Sequence, residues 1–309
     1  MVDDGVLYIG DTHIGKRFRT GVPLDRLGER ENIIYSSLNE KLFNPDPNIK
    51  LVVHLGDLFD RPTISFDDLF ATYNRIREAA IKYPNRKYVY IQGNHDLSRN
   101  AEATTAIEVM RELLLPEKNV EFVLNFPVNI GNYLFVPYNF NEEFLSRHND
   151  WVTGENITLC GHFDEPFPHH IFSDYGKVVT GHIHIPRNEL NVKVVGSIIP
   201  MNFGEDPNGT LYKTVTLEEF NRLIDEPQGD KYCYRVVLKE GEILPEGVNC
   251  RQLISIKDDE VDISEVTLEK EWEQANFDID YLLREALEDL GLYNEIYGKY
   301  LELKAETNV

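Results

Sequence analysis

Five short apolar runs dominate the first 200 residues of the sequence, and each is followed by acidic, amide or histidine side chains. The runs are rich in β-branched and aromatic residues, and they begin at Val6, Leu51, Tyr88, Ile157 and Lys177. Such runs are typical of buried strands in a parallel sheet. The carboxyl ends of these strands line one crevice in an open α/β sheet. We therefore expect the polar residues that follow the runs to meet in one place.

These polar residues form an ordered series of candidate metal ligands. In chain order they are Asp11, His13, Asp57, Asn94, His162, His182 and His184. Oxygen and imidazole ligands in this number suit Mn²⁺, Fe²⁺ or Zn²⁺ better than an all-oxygen Mg²⁺ or Ca²⁺ site. A carboxylate at a strand end can bridge two ions, and Asp57 is placed to do so, with Asp11 and His13 on one side and Asn94 and His162 on the other. Two such ions support in-line displacement at phosphorus.

The remaining histidines are expected to have different roles. His95 directly follows a candidate ligand, but it need not bind metal. It can face the substrate and give a proton to the leaving oxygen, or stabilise charge on the phosphorus centre. His54 lies inside an apolar run and is expected to be a satisfied core residue. His169 and His170 lie in a proline-rich loop away from any strand end, so we do not expect them to be ligands.

The densest basic cluster of the chain comes directly after the first pair of ligands. It contains Lys16, Arg17 and Arg19. Two interpretations stay open. The cluster is either a solvated loop or a loop that contacts substrate phosphates beside the metals.

Composition predicts a folded protein without a membrane segment. The chain has 309 residues, of which 42% are hydrophobic and 27% charged, so we expect a large domain and a smaller one and no extensive disorder. No apolar run approaches the roughly 20 residues needed to cross a bilayer. The first strand begins at once, so no signal peptide is expected. The three cysteines are odd in number and widely spaced, which predicts neither disulfides nor a metal motif and favours a reducing cytoplasm.

The net charge of −22 argues against a nucleic-acid binder that works alone. Most of the acidic excess lies after Met201, and the chain lacks a broad basic face. A DNA substrate would therefore require bound cations or a partner subunit to supply positive potential.

Apolar periodicity predicts the other elements. It indicates helices near residues 26–42, 65–83, 104–115 and 141–148. Short turns separate three apolar stretches between residues 120 and 136, which predicts antiparallel strands. Strands near 189–195 and 210–216 would complete an α/β fold with two sheets in a sandwich.

Composition changes near Thr216 and predicts three parts: residues 1–216 as the main domain, 217–265 as a small α+β domain, and 266–309 as a C-terminal helical pair. The last part has two apolar stripes, one with Leu283 and Leu287 and one with Tyr293 and Tyr297. Docking onto the chain's own domain and binding a partner helix both stay open as explanations of these stripes.

The ordered motifs resemble those of the calcineurin-like metallophosphoesterase superfamily. They are Asp11-Thr12-His13, Gly56-Asp57-Leu58-Phe59-Asp60, Gly93-Asn94-His95-Asp96, Gly161-His162 and Gly181-His182-Ile183-His184. The first two motifs are also similar to those of the SbcD nucleases, the bacterial and phage counterparts of the meiotic-recombination-eleven nuclease. Archaeal and eukaryotic members place a histidine where Asp60 stands here, so the match is to the bacterial branch.

The resemblance implies a two-sheet metallophosphoesterase sandwich flanked by helices, with a small DNA-capping domain and C-terminal helices that grip the coiled coil of an SbcC-like ATPase. It also implies a homodimeric, Mn²⁺-dependent DNA exonuclease and endonuclease, in the cytoplasm of a bacterial or phage-infected cell. One metal would take Asp11, His13, Asp57 and His184, and the other Asp57, Asn94, His162 and His182. His95 would face the substrate and act with Asp57 as a catalytic residue.

Two alternatives to a nuclease are open. The same chemistry can act on a small phosphoester or on a phosphoprotein, and the acidic charge favours this. A catalytically inactive binding scaffold is the other, although members of that kind lose ligands and every ligand position is filled here.

Overall fold

The computed structural model describes residues 2–3, 5–100, 103–138 and 151–258. Tertiary contacts divide the chain into two units, residues 1–256 and 257–309, and the fold below is that of the first unit. The predicted helices at 141–148 and 266–309 lie outside the described residues, so they stay predictions.

The first sheet has five strands in chain order, and all but the first pair are parallel. The strands are β1 (Val2–Asp3), β2 (Val6–Ile9), β3 (Leu51–His54), β4 (Lys87–Ile91) and β5 (Val120–Val123). In their register Ile9 lies beside His54, which lies beside Tyr90. The chain therefore leaves β2, β3 and β4 at the same edge of the sheet.

Three helices cover the outer face of this sheet: α1 (Glu29–Leu42), α2 (Phe66–Lys82) and α3 (Ala106–Leu114). Alternate strand residues such as Leu7 and Tyr88 share a buried cluster with Leu38 of α1, Ile76 of α2 and Met110 of α3. The helix predictions are thus confirmed apart from shifts of one to three residues at their ends.

The second sheet has six strands in the order β10-β11-β9-β8-β7-β6. They are β6 (Val128–Ile130), β7 (Tyr133–Phe135), β8 (Gly154–Gly161), β9 (Tyr175–Thr180), β10 (Arg187–Glu189) and β11 (Val192–Val194). Val53 and Val89 of the first sheet pack with Phe135, Cys160 and Val179 of the second in a dry layer between the two sheets. The short helix α4 (His169–Phe172) packs on the outer face of the second sheet. The predicted two-sheet α/β sandwich is confirmed.

Strand pairing corrects two predictions. The stretch between 120 and 136 is not one antiparallel set, because β5 pairs parallel with β4 while β6 and β7 pair with each other in the second sheet. A short turn therefore joins strands of facing sheets there, which turn length alone does not reveal. The strand predicted near 210–216 is β12 (Tyr212–Thr216), and it does not belong to the sandwich. It pairs parallel with β13 (Cys233–Leu238) in a third sheet.

The third sheet contains β12, β13 and β14 (Gln252–Lys257) and packs against α5 (Leu217–Ile224). Thr216 and Glu219 form a capping box that starts α5, and Phe220 of this helix is fully buried against Tyr234. The predicted boundary at 216/217 therefore falls between a strand and a helix that share one small core. The division into domains 1–216, 217–265 and 266–309 stays a prediction.

The third sheet also holds the loop that carries the basic cluster. Leu253 donates its backbone N–H to the carbonyl of Gly21, and the Gln252 side chain donates to the carbonyl of Thr20, both at 2.8 Å. The buried Arg30 of α1 donates to the Gln252 side-chain oxygen at 2.9 Å. The sequence-distant strand β14, itself held by α1, thus fixes the chain just after the first ligands.

No helix in the described part of the chain is long and apolar enough to cross a membrane. Cys160, Cys233 and Cys250 are buried and carry free thiols.

The small core around Phe220 provides a test of the predicted domain boundary. If the third sheet unfolds together with the sandwich, Phe220→Ala should lower the stability of a single unfolding transition by about 3–5 kcal/mol, the usual cost of emptying an aromatic site in a core. Guanidinium unfolding followed by both circular dichroism and fluorescence measures this. The matched control is Phe126→Ala, since Phe126 is 76% exposed and should change little. Two separate transitions, with only one shifted, would instead support an independent small domain.

Candidate metal centre

Five strands from both sheets deliver polar side chains to one location. Asp11 follows β2, Asp57 follows β3, Asn94 follows β4, His162 follows β8 and His182 follows β9. Each lies within three residues of the carboxyl end of its strand. The convergence expected from the sequence is present in the fold.

Three of the candidate ligands have left-handed backbones. The φ angles are 44° for His13, 53° for Asp57 and 72° for His182. Non-glycine residues avoid this region, which costs roughly 1–3 kcal/mol of strain. The surrounding structure must offset that cost, and residues held in this way cluster at functional sites. Three candidate ligands thus share a backbone conformation that is typical of functional sites.

The glycines of the motifs permit close approach to the ligands. A Cβ atom on Gly93 would lie 2.1 Å from Asp57 Oδ1, and one on Gly56 would lie 2.2 Å from His162 Nδ1. A Cβ on Gly181 would lie 3.0 Å from Asp11 Oδ1. Because these glycines have no side chain, the backbone at one strand end can contact a candidate ligand that follows a different strand.

One half of the cluster contains His13, His184, Asp57 and Asp11. His13 Nε2 lies 3.0 Å from His184 Nε2 and 3.6 Å from Asp57 Oδ2. Asp11 is fully buried, yet its Oδ2 atom has no hydrogen-bond partner among the described residues. A buried carboxylate oxygen needs a partner, and a bound cation would supply it.

The other half contains Asn94, His162, His182 and again Asp57. Asn94 Oδ1 lies 2.8 Å from His162 Nε2 and 3.2 Å from His182 Nδ1, and His162 Nε2 lies 3.4 Å from Asp57 Oδ2. Asp57 Oδ2 is therefore shared by both halves, as expected of a bridging carboxylate. The donor set fits two divalent ions, and the assignment of these residues as metal ligands stays a prediction.

Burial and charge set the protonation of the metal-free cluster. Burial lowers the pKa of His13 well below its usual value. Burial also acts to lower the pKa of His162, but the carboxylates of Asp57 and Asp11 outweigh it and raise that pKa to about 9. The nearby imidazoles outweigh burial for Asp57 and lower its pKa. Burial raises the pKa of Asp11, and the Glu205 carboxylate outweighs burial and raises the pKa of His184. Protons on the histidines therefore offset part of the buried negative charge when no metal is bound.

His95 is exposed and is held by its neighbours in a way that suits a substrate-facing role. Its backbone N–H donates to Asp57 Oδ1 at 2.9 Å, and its Nδ1 lies 2.9 Å from the carbonyl oxygen of Asp60. Since a carbonyl only accepts, Nδ1 carries the proton. The ring packs edge-on against His13, with centroids 4.7 Å apart, and the remaining nitrogen is Nε2.

A family model described as calcineurin-like phosphoesterase matches residues 5–219. The match spans more than half of the chain and includes every candidate ligand. The chain belongs to the calcineurin-like phosphoesterase family. No significant match was found among curated proteins.

Two carboxylates that contact the candidate ligands from outside the cluster were not predicted. Glu205 Oε1 accepts from His184 Nδ1, and Asp164 Oδ1 lies 2.8 Å from His182 Nε2. Such outer contacts fix the orientation and tautomer of a ligating histidine. Asp164 stands two residues after His162, so its position was visible in the sequence. Glu205 lies in a turn outside all the motifs, and no sequence pattern indicates it.

Thr12, between the candidate ligands Asp11 and His13, makes buried hydrogen bonds to two other segments. Thr12 Oγ1 donates to the carbonyl of Leu58 at 2.9 Å and accepts from His54 Nε2 at 3.0 Å. Burial lowers the pKa of His54 to about 3, so this imidazole is neutral. The expectation that His54 is a core histidine is confirmed, but it is not fully satisfied, since its Nδ1 has no hydrogen-bond partner among the described residues.

A second buried contact shapes the loop that carries Asn94 and His95. Asp96 accepts backbone N–H groups from Phe59 at 3.1 Å and Gly93 at 2.9 Å. Burial raises the pKa of Asp96 to about 7. The last residue of the Gly-Asn-His-Asp motif thus joins the segments after β3 and β4.

The basic cluster lies partly beside the centre. Lys16 Nζ lies 3.5 Å from Asp60 Oδ1, and that carboxylate is itself 3.6 Å from His13 Nδ1. Arg17 forms an ion pair with Asp68 of α2, and Arg19 is exposed. Lys16 is therefore the member of the cluster that the structure brings closest to the ligands, and both interpretations of the loop stay open. His169 pairs with Glu189 and is not part of the centre.

The protonated state of His162 leads to a testable prediction about metal binding. His162 Nδ1 faces the carbonyl of Leu55 and Nε2 faces Asn94 Oδ1, so both nitrogens donate in the metal-free protein. With a pKa of about 9, His162 is charged at pH 7, and a metal must displace its Nε2 proton. Metal affinity should therefore rise as the pH increases from 7 towards 9.

Calorimetric titration of the metal-free protein with Mn²⁺ in buffers of different ionisation enthalpy measures this proton release. The apparent enthalpy at pH 7 should depend on the buffer, and the dependence should weaken above pH 9. An enthalpy that is independent of the buffer at pH 7 would contradict the assignment.

Proposed function

We propose that this chain is a two-metal phosphodiesterase and the nuclease subunit of a DNA end-processing complex. The observation that carries the proposal is the shared carboxylate of Asp57, which lies between two sets of oxygen and imidazole donors. Membership of the calcineurin-like phosphoesterase family supports metal-dependent phosphoester hydrolysis, and the donor groups around His13 and His162 support metal binding. We propose two Mn²⁺ ions, since the donor set mixes carboxylate, amide and imidazole.

The residues of the chain divide the work of hydrolysis. Asp11, His13, Asp57 and His184 would hold one ion, and Asp57, Asn94, His162 and His182 the other. Divalent ions in such a pair supply an activated water and stabilise the charge of the phosphoryl oxygens. The left-handed backbones would hold the metal-binding atoms in place before substrate binds. These groups would then not have to rearrange during the reaction.

His95 supplies the proton for the leaving group. Its Nδ1–H is committed to the Asp60 carbonyl, so the proton that it gives to the leaving oxygen is a second one, carried on Nε2 of the doubly protonated ring. General acid catalysis of this type contributes roughly 10²–10⁴-fold to the rate.

The choice of DNA rests on the similarity of the 11–15 and 56–60 motifs to SbcD nucleases, and we propose exonuclease activity on duplex ends and endonuclease activity on hairpins or single strands. The net charge of −22 means that positive potential must come from elsewhere. We therefore propose a homodimer, an SbcC-like coiled-coil ATPase partner bound through residues 266–309, and a cytoplasmic location. Isolation of the native complex without such an ATPase would contradict the partner.

The second candidate is the same chemistry on a small phosphoester or a phosphoprotein. The acidic charge favours it, because a small diester needs no extended basic surface. An inactive scaffold is the least supported alternative, since the ligands converge with their donor atoms 2.8–3.6 Å apart.

Cleavage assays with and without Mn²⁺ separate these candidates. The substrates are labelled duplex, hairpin and single-stranded DNA on one side, and bis(p-nitrophenyl) phosphate and p-nitrophenyl phosphate on the other. The proposal expects Mn²⁺-dependent cleavage of DNA and of the small diester. Turnover of the small esters without cleavage of any DNA would favour the second candidate, and a protein that binds metal but cleaves nothing would favour the scaffold.

A pair of substitutions tests the separate roles of His95 and Asp57. His95→Ala should keep both ions and lower diester turnover by about 10²–10⁴-fold, because it removes the proton donor and leaves the ligand set intact. Asp57→Ala should release metal as well as activity. Metal content by elemental analysis after dialysis, together with kcat, gives the result, and loss of an ion in the His95 variant would show that His95 is a ligand.

A further inference from the structure

The two histidines of the Gly-His-x-His motif have different environments. His184 Nδ1 donates to Glu205 Oε1 at 2.8 Å, and the Glu205 side chain is only 8% exposed. His182 Nε2 lies 2.8 Å from Asp164 Oδ1, and that side chain is 59% exposed. The carboxylate that contacts His184 is thus buried, whereas the carboxylate that contacts His182 is exposed to water.

The turn around Glu205 is built to hold this carboxylate still. Its Oε2 atom accepts the backbone N–H of Met201 at 2.7 Å, and its Oε1 atom also accepts from Asn202 Nδ2 at 2.6 Å. Asn202 in turn caps the same turn by accepting the backbone N–H groups of Gly204 and Glu205. The carboxylate therefore has a hydrogen bond at each oxygen before it meets His184.

A neutral imidazole carries one proton, so the nitrogen that donates to a carboxylate leaves the other nitrogen as an acceptor. Glu205 accepts only, and it faces Nδ1 of His184. Nε2 of His184 is then the nitrogen left for a metal, and it lies 3.0 Å from His13 Nε2. The buried carboxylate thus selects the tautomer that can bind metal.

We propose that Glu205 is a positioning residue that fixes His184 in its Nδ1–H tautomer and thereby completes the metal site formed with Asp11, His13 and Asp57. This role rests on the proposed two-metal function. Asp164 has the same relation to His182 and a further hydrogen bond with Tyr138, but its carboxylate is more exposed to water and so constrains the ring less. The two ions should therefore depend unequally on their outer carboxylates.

Glu205→Gln keeps the shape of the side chain and replaces one acceptor oxygen with a donor NH₂ group. The amide cannot accept from both Met201 and His184 in either orientation. If the amide oxygen takes the Oε2 position and accepts from Met201, the NH₂ group faces His184 Nδ1 and forces the wrong tautomer. If the amide oxygen faces His184, the NH₂ group meets the N–H of Met201. Outer contacts of this kind typically change metal affinity by 10–100-fold, so one of two Mn²⁺ ions should bind about 10–100-fold more weakly.

The experiment titrates the metal-free full chain with MnCl₂, measures affinity by calorimetry and detects the spin-coupled ion pair by electron paramagnetic resonance. The variant should lose the coupled signal and keep one ion bound by Asp57, Asn94, His162 and His182. A merely structural role would weaken both ions together. Asp164→Asn is the matched control and should weaken its ion less than 10-fold. Glu205→Asp, which keeps a carboxylate acceptor, should recover part of the affinity.

Unchanged binding of both ions in Glu205→Gln would overturn the proposal, as would loss of both ions with a normal circular dichroism spectrum. If the variant does not fold, ¹⁵N resonances of the wild-type protein loaded with Zn²⁺ decide instead, since a deprotonated Nδ1 in His184 would overturn the inference. A wild-type chain that binds no metal would reject the proposed function itself. The two failures are therefore distinguishable.

Discussion

The carboxylate of Asp57 is the point on which the site depends. It is buried, it accepts the backbone N–H of His95 through one oxygen, and its other oxygen lies between His13 and His162. Asp57 has a left-handed backbone, and Gly93 packs against it so closely that any side chain at position 93 would clash with its backbone N and its carboxylate. A parallel sheet alone brings strand ends to one edge, whereas the contact between Gly93 and Asp57 sets their separation to atomic distances.

The sequence predicted the parts of the structure that follow from local pattern. Apolar runs closed by polar residues gave β2, β3, β4, β8 and β9, and 3.6-residue periodicity gave the helices on the first sheet. What it missed depends on partners far along the chain. The alternation near residue 212 is the same in a strand of the sandwich and in a strand of the third sheet, and only the pairing with β13 distinguishes them.

The same limit applies to the candidate site. The ligand positions are visible because each follows a strand, and the role of Asp57 follows from its central place in that series. Glu205 could not be predicted, because its importance comes from a turn that tertiary contacts press against His184. The basic loop was predicted only in part. Its positive charge is visible in the sequence, but the sequence does not show which carboxylates pair with Lys16 and Arg17.

Metal binding and folding stability are linked in a centre of this kind. Two buried carboxylates and four imidazoles lie in one small volume, and in the absence of ions their charges are balanced by protons. Any ligand that binds only the folded state adds to its stability by mass action, so bound ions would relieve the unpartnered oxygen of Asp11 and stabilise the junction of the two sheets. The centre is therefore a structural element of the sandwich as well as a chemical one.

The position of the third sheet in the sequence sets the order in which parts of the site are synthesised. Every candidate ligand lies before residue 185, so a ribosome-bound chain that has emerged to Glu205 already contains the whole centre and its buried carboxylate. The loop from Lys16 to Gly21 is different, because its backbone is fastened by Gln252 and Leu253. A nascent chain thus acquires its ligands well before the loop beside them is fixed. The carboxyl-terminal part of the first unit, although remote from the candidate ligands in sequence, therefore determines when this loop takes its final form.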